Sequence, residues 1–174
     1  MKKIILLLLM LTYMLPMLHA QQVATKYGDN VGTLDGIIKA YYDVVTVKKG
    51  EKPSYERDSL LHWPGAMVGS TGVGKNGKPV FHSMSLKRFH ELSDPGLERD
   101  GFYEKEISRK AEQFGSIYHV WSTYESRNEP GGPIIERGIN SIELYNDGTR
   151  FWILAWFFDG ERKGNPIPPE YLTK

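Results

Sequence analysis

The chain has 174 residues, 22 Lys+Arg against 21 Asp+Glu, 40% apolar and 12% aromatic. That suits one globular domain, and Gly and Pro counts of 18 and 10 exclude a collagen-like or disordered chain. A formal charge of +1 argues against a dedicated nucleic-acid binder, and the lack of Cys excludes disulfides, thiolate nucleophiles, iron–sulfur clusters and Cys-based zinc sites.

Residues 1–20 read as a secretory signal: Lys2 and Lys3 form a positive head, Ile4 to Leu18 an apolar stretch, and Leu18-His19-Ala20 a small-residue exit. At 1.5 Å per residue the apolar stretch covers about 22 Å, short of the ~30 Å hydrocarbon core. An exported protein is expected, periplasmic or secreted, with no membrane attachment after cleavage. Cleavage removes two lysines and leaves a net charge of −1.

Residues 21–32 are polar and Gly-containing and read as a flexible arm. Thr33 is suited to cap a helix over 34–49, with Leu34, Ile37, Ile38, Tyr41 and Val45 at helical spacing and Gly50 as the stop. Ser54 is placed to cap a short second helix through Leu61. Two extended runs, 66–71 and 78–83, meet at the hairpin signal Asn76-Gly77. Ser85 is placed to cap a third helix, 86–93, ended by Asp94-Pro95-Gly96. Strands are expected over 102–111, 116–127, 134–145 and 149–159, followed by a Pro-rich tail, 161–174, packed over an edge. Helices segregated from an antiparallel meander make the fold class α+β.

Tyr145-Asn146-Asp147-Gly148-Thr149 fits a type I turn with Gly148 at the bulge position. Ile142 then faces Trp152, and Asn140 faces Leu154. One face collects Asn140, Ile142, Leu144, Trp152, Leu154, Trp156 and Phe158. The other collects Phe151, Ile153, Ala155 and Phe157, an apolar patch that suggests a sheet-to-sheet homodimer.

Gly69-Ser-Thr-Gly-Val-Gly74-Lys75 satisfies the phosphate-loop spacing, but Asn76 offers no hydroxyl for magnesium and Gly77-Lys78-Pro79 cannot open a helix. It reads as a glycine-rich hairpin. His62, His82, His90 and His119 are scattered without metal-ligand spacing, so neither a metal nor another cofactor is expected. No nucleophile elbow is present. Glu104 and Glu106 share one strand face and read as a solvated face, with paired carboxylates as the alternative, and Arg137 as an anion site or a partner of Glu104, Glu106 or Glu136. Asn140 is the one polar side chain in an apolar stripe and needs a backbone, water or ligand partner.

Ala40-Tyr-Tyr-Asp-Val-Val, Leu60-Leu-His-Trp-Pro-Gly-Ala-Met-Val, His119-Val-Trp-Ser-Thr-Tyr-Glu-Ser-Arg127, Arg137-Gly-Ile-Asn-Ser-Ile-Glu-Leu144 and Gly148-Thr-Arg-Phe-Trp-Ile153 resemble the nuclear transport factor 2-like, or SnoaL-like, superfamily, in an exported bacterial branch. The resemblance spans residues 33–160. It implies a cone-shaped curved antiparallel sheet packed on three helices from the N-terminal half, the cystatin-like arrangement. The superfamily includes ketosteroid isomerase, scytalone dehydratase, polyketide cyclases and non-catalytic binders, and no local motif carries their catalytic positions over. The expected function is binding of a small, largely apolar molecule in the cone. Trp63, Trp152 and Trp156 would form the wall, and His62, His119 and Asn140 would supply polarity. The alternatives are an isomerase-, dehydratase- or cyclase-type enzyme using a His or carboxylate there, and a dimeric interaction module with no open pocket.

Overall fold

Thr33 caps the first helix through its side chain, which accepts from the Gly36 N–H at 3.0 Å, and α1 spans Leu34–Val45. The computed structural model describes residues 31–173, so the expected signal segment 1–20 and arm residues 21–30 lie outside the described residues. Val31, within the expected flexible arm, is fully buried, and its carbonyl accepts from the Phe151 N–H at 2.8 Å. Helix α1 stops four residues before the expected end at 49, because Val47 leaves the helical path to exchange two backbone hydrogen bonds with Phe102.

Ser54 caps α2, Tyr55–Ser59. Strands β1, His62–Val73, and β2, Pro79–Ser85, form the hairpin around Asn76-Gly77 and are longer than expected. Gly69 sits where a Cβ would lie 1.9 Å from the His82 carbonyl oxygen, so only glycine permits this close strand pairing. The phosphate-loop spacing is thus occupied by a strand and its turn.

Helix α3 spans Leu86–Asp100, capped by Ser85, and passes through Pro95 instead of ending at 94–96. A proline deletes one intrahelical bond at a cost of about 3 kcal/mol. The turn beyond it is held in compensation, since the Glu98 carbonyl accepts from the Gly50 N–H at 2.7 Å.

The remaining strands are β3, Tyr103–Phe114, β4, Ile117–Arg127, β5, Glu136–Asn146, and β6, Phe151–Gly160. The sheet order is β2-β1-β6-β5-β4-β3, a curved, unclosed six-stranded sheet with three helices, an α+β fold. It is not wholly antiparallel: β1 runs parallel to β6, with a break in register between His62 and Met67 where Gly65 takes a φ of +87°. Ile37, Ile38 and Tyr41 of α1 pack on the concave face against Val120, Ile142 and Ile153. The tail ends on the convex face, where the hydroxyls of Thr123 and Ser108 donate to the carbonyls of Tyr171 and Thr173, each at 2.6 Å.

The β5–β6 register differs from expectation. Asp147 closes a four-residue loop, accepting from the backbone of Thr149 at 2.8 Å and Arg150 at 2.9 Å and from the Trp152 indole at 2.8 Å. Burial works against its charge, but these bonds together hold its carboxyl below the usual range. Tyr145 therefore faces Trp152, three residues beyond Thr149. A second shift at Leu154 makes Ile142 face Trp156, four residues beyond the expected Trp152. An odd offset swaps faces and an even one restores them. Phe151 and Ile153 are consequently buried in the core and Trp152 turns outward, whereas Trp156 and Phe158 face inward as expected.

Candidate functional site

The concave face, α1 and α3 enclose a cavity of ≈180 Å³. Helix α1 contributes Tyr41 and Val45, and α3 contributes Phe89, Ser93 and Leu97. The strand side brings Glu104, Tyr124, Glu136, Asn140, Trp156 and Phe158, with Phe102 ahead of β3. Rings form much of the wall: Trp156 meets Phe89 edge to face at 4.8 Å and Tyr41 at 6.0 Å.

Asn140 reaches this cavity because β5 places it between Ser122 and Phe158 on the inner face. Its amide donates to the Tyr42 hydroxyl at 3.2 Å and to Glu104 at 3.5 Å. Tyr42 and Ser122 share a hydrogen bond of 2.7 Å, and the Ser122 hydroxyl donates to Glu106 at 2.5 Å. Glu106 is in turn clamped by Arg109, with contacts from 2.6 to 3.1 Å. Direction follows from the ends. An Arg-paired carboxylate can only accept, so Ser122 donates to it, Tyr42 donates to Ser122, and Asn140 supplies the N–H to Tyr42. The Asn140 amide is thereby oriented to present its nitrogen to Glu104.

Glu104 has no such guanidinium. Burial pushes its carboxyl up to about 8; the Asn140 hydrogen bond opposes that rise and the negative charge of Glu136 adds to it. Burial also raises the phenols of Tyr42 and Tyr124, assisted by Glu104 and Glu136 respectively, so both stay protonated donors. Tyr124 donates to Glu136 at 3.1 Å. Gly138, opposite Tyr124 on β5, makes that reach possible, since a Cβ there would lie 2.6 Å from the Tyr124 hydroxyl.

Behind the Trp156 wall lies a second polar group. His62 accepts the Trp156 indole N–H at Nε2, 3.1 Å, and its Nδ1 lies 2.9 Å from the Asp58 carbonyl and 3.3 Å from the Asp58 carboxylate. His90 bridges the buried Asp58 at 3.0 Å and Asp94 at 3.0 Å. It is therefore a half-buried residue clamped between α2 and α3.

Of the six sequence-derived site residues, Asn140 and Trp156 line the cavity and His62 stands behind it. Trp63, His119 and Trp152 lie outside the lining. Trp63 is 45% exposed and meets Trp152 at 5.6 Å, and Trp152 lies beneath the Arg150 guanidinium at 3.8 Å. His119 bonds Ser141 at 3.0 Å beside Trp121, on the convex side. Arg137 lies 3.7 Å from Glu161, not beside Glu104, Glu106 or Glu136.

Sequence reasoning missed Glu104, Tyr42, Tyr124 and Glu136. Glu104 and Glu106 were read as a solvated face. They face inward, because a register shift between Glu106 and Ser108 separates them from the outward-facing end of β3. The only available signal was their alternation opposite Tyr124 and Ser126, readable once the Gly115 turn fixes the β3–β4 register.

No helix among the described residues is long and apolar enough to cross a membrane. No protein-family model matches the chain, and no curated protein sequence matches it. Solved structures do. A protein of unknown function with a cystatin-like fold from Nostoc punctiforme superposes with a TM-score of 0.53 at 5% identity, covering 72% of this chain and 86% of that one. A nuclear transport factor 2-like protein of unknown function from Methylobacillus flagellatus gives 0.47 at 13% identity over 72% and 87%. An uncharacterised cystatin-like protein from Caulobacter vibrioides gives 0.49 at 11% over 77% and 87%. The fold is the cystatin-like one.

Proposed function

We propose that this is an exported protein that binds a small, largely apolar molecule in the cone cavity, with Glu104 as the group that meets the molecule's polar end. The observation that carries this reading is an aromatic-walled cavity holding a carboxyl whose nearest protein partner is one amide. Export rests on the charge head, apolar length and small-residue exit of residues 1–20. N-terminal sequencing of protein from its native compartment should begin at or near Gln21, and an intact Met1 on soluble protein would contradict export.

Cavity binding is tested by denaturing protein purified from its native host and identifying released small molecules by mass spectrometry. Ser93→Phe fills the cavity from α3 and is the control. A molecule released by wild type and absent from the folded Ser93→Phe variant supports the reading. No released molecule, together with no binding of benzyl alcohol by calorimetry, rejects it.

A second reading, acid/base catalysis of the isomerase or dehydratase kind, is favoured by the shift of Glu104 to about 8, within reach of neutral pH, with Glu136 on the same wall. Cyclohexanone in deuterated water is a simple probe. Exchange of its α-protons by wild type and not by Glu104→Gln supports catalysis, and equal exchange by both removes it.

We also propose a homodimer formed through the convex face. Met67, 44% exposed, pairs with Ala155 beside Phe157, and Phe81, 59% exposed, meets the Phe157 ring at 5.2 Å. An apolar surface of this kind commonly marks an interface.

A further inference from the structure

The charge and ring content of the cone wall narrow the ligand class, on the reading that the cone holds a ligand. The lining contains two carboxyl groups, Glu104 and Glu136, and no Lys, Arg or His. Six of its residues are aromatic: Tyr41, Phe89, Phe102, Tyr124, Trp156 and Phe158. Aromatic rings attract cations through their quadrupoles, and carboxylates do so by charge. An anionic ligand would meet two carboxyl groups and no cationic side chain in a poorly solvated space.

The protein supplies Glu104 with no cationic partner. Glu106, two residues along the same strand, takes Arg109 at 2.6 Å, whereas among the described residues Glu104 makes no ion pair. Burying a charge without a partner is costly, and a cation arriving from outside removes that cost. Volume sets the size, since apolar cavities of about 150 Å³ take one benzene ring, and this one is ≈180 Å³.

We propose that the cone cavity is a site for a small organic monocation, an alkyl- or arylmethyl-ammonium of single-ring size, with Glu104 as its counter-ion. A neutral amine accepts the Glu104 proton on its nitrogen lone pair. An ammonium ion instead displaces that proton to solvent. Both routes end in one N⁺–H···O⁻ pair, and charge and protons balance in each.

Titration calorimetry of the folded mature protein at neutral pH, with benzylamine, benzyl alcohol and benzoate, tests the assignment. Benzylamine, present as the ammonium ion, should bind about tenfold or more tighter than benzyl alcohol, with benzoate weakest. In buffers of different ionisation enthalpy its binding should release close to one proton, a measurement that needs no variant. Glu104→Gln should lose the preference for benzylamine over benzyl alcohol. Benzyl alcohol binding as tightly as benzylamine, or a benzylamine preference kept by Glu104→Gln, overturns the cation class and leaves a cone binder of neutral molecules standing. Failure of all three probes to bind overturns both.

Discussion

The Trp156 indole N–H donates to Nε2 of His62 at 3.1 Å, which makes that nitrogen an acceptor and leaves the imidazole proton on Nδ1, facing Asp58. A cavity-wall tryptophan is thereby tied to a buried aspartate. The tie continues to α3, which also supplies cavity residues, because His90 Nε2 lies 3.0 Å from Asp58 and Nδ1 3.0 Å from Asp94.

The His90 clamp gives stability a pH dependence. Burial disfavours the charged ring, but hydrogen bonds to Asp58 and Asp94 outweigh it and raise the pKa. The groups facing it are Asp58 from α2, Asp94 from its own helix, and the Tyr55 ring at 5.3 Å. A raised folded value means that its stabilisation is complete below the unfolded value of about 6.5 and is lost as pH rises through the folded value. Urea unfolding should show His90→Gln less stable than wild type by about 1–2 kcal/mol in mild acid, with the gap narrowing above neutrality. A gap independent of pH would assign the loss to packing alone.

Element order and caps were legible because they are local: Thr33, Ser54 and Ser85 each cap a helix through the side chain, as their positions implied. Face assignment in β6 was not, because it depends on two long-range shifts. The Asp147 loop displaced Phe151 and Ile153 into the core, and the irregularity at Leu154 returned Trp156 to the inner face. Asn140 stood out as one amide in an apolar stripe. Glu104 did not, since nothing in Tyr103-Glu-Lys-Glu-Ile tells an inward glutamate from a solvated one until β4 is paired beside it.

Asn140 holds two partners at once, Tyr42 and Glu104. An amide that served only a ligand would let Asn140→Leu keep or raise stability while weakening ligand binding. With both donors removed, Tyr42 and Glu104 lose their shared contact, so the variant should lose about 1–3 kcal/mol in a thermal or urea melt. The Glu104 pKa should rise further, since the one hydrogen bond favouring its charged form is gone. Unchanged stability would show that solvent replaces the amide.

The dimer prediction shifts to a different residue. Ile153 is fully buried in the core, so Ile153→Asp should unfold the chain instead of dissociating a dimer. Phe157 pairs with Ser141 and Gly69 and meets Phe81 at 5.2 Å on the convex face. Phe157→Lys should move sedimentation from dimer to monomer with the circular dichroism spectrum unchanged. A monomeric wild type at micromolar concentration would remove the dimer.

Glu104 supplies the sharpest pH test of the site. Its folded pKa of about 8 lies above the ordinary carboxyl value, chiefly through burial. Between those values the folded chain binds a proton that the unfolded chain has released, so stability falls as pH rises across that window. Below the ordinary carboxyl range both states are protonated and nothing is lost. Above about 8 both are ionised, and the folded state bears the whole cost of a buried charge. Glu104→Gln removes the titration. The stability of wild type relative to this variant should therefore drop by roughly 2–4 kcal/mol from mild acid to above pH 8. Carbon-13 NMR of labelled glutamate carboxyls should follow the same midpoint. The drop should shrink when benzylammonium fills the cone, because the cation supplies the missing counter-charge. A flat difference between the two proteins across the range would mean that Glu104 is solvated and ionised throughout, and that the cone holds no proton at neutral pH.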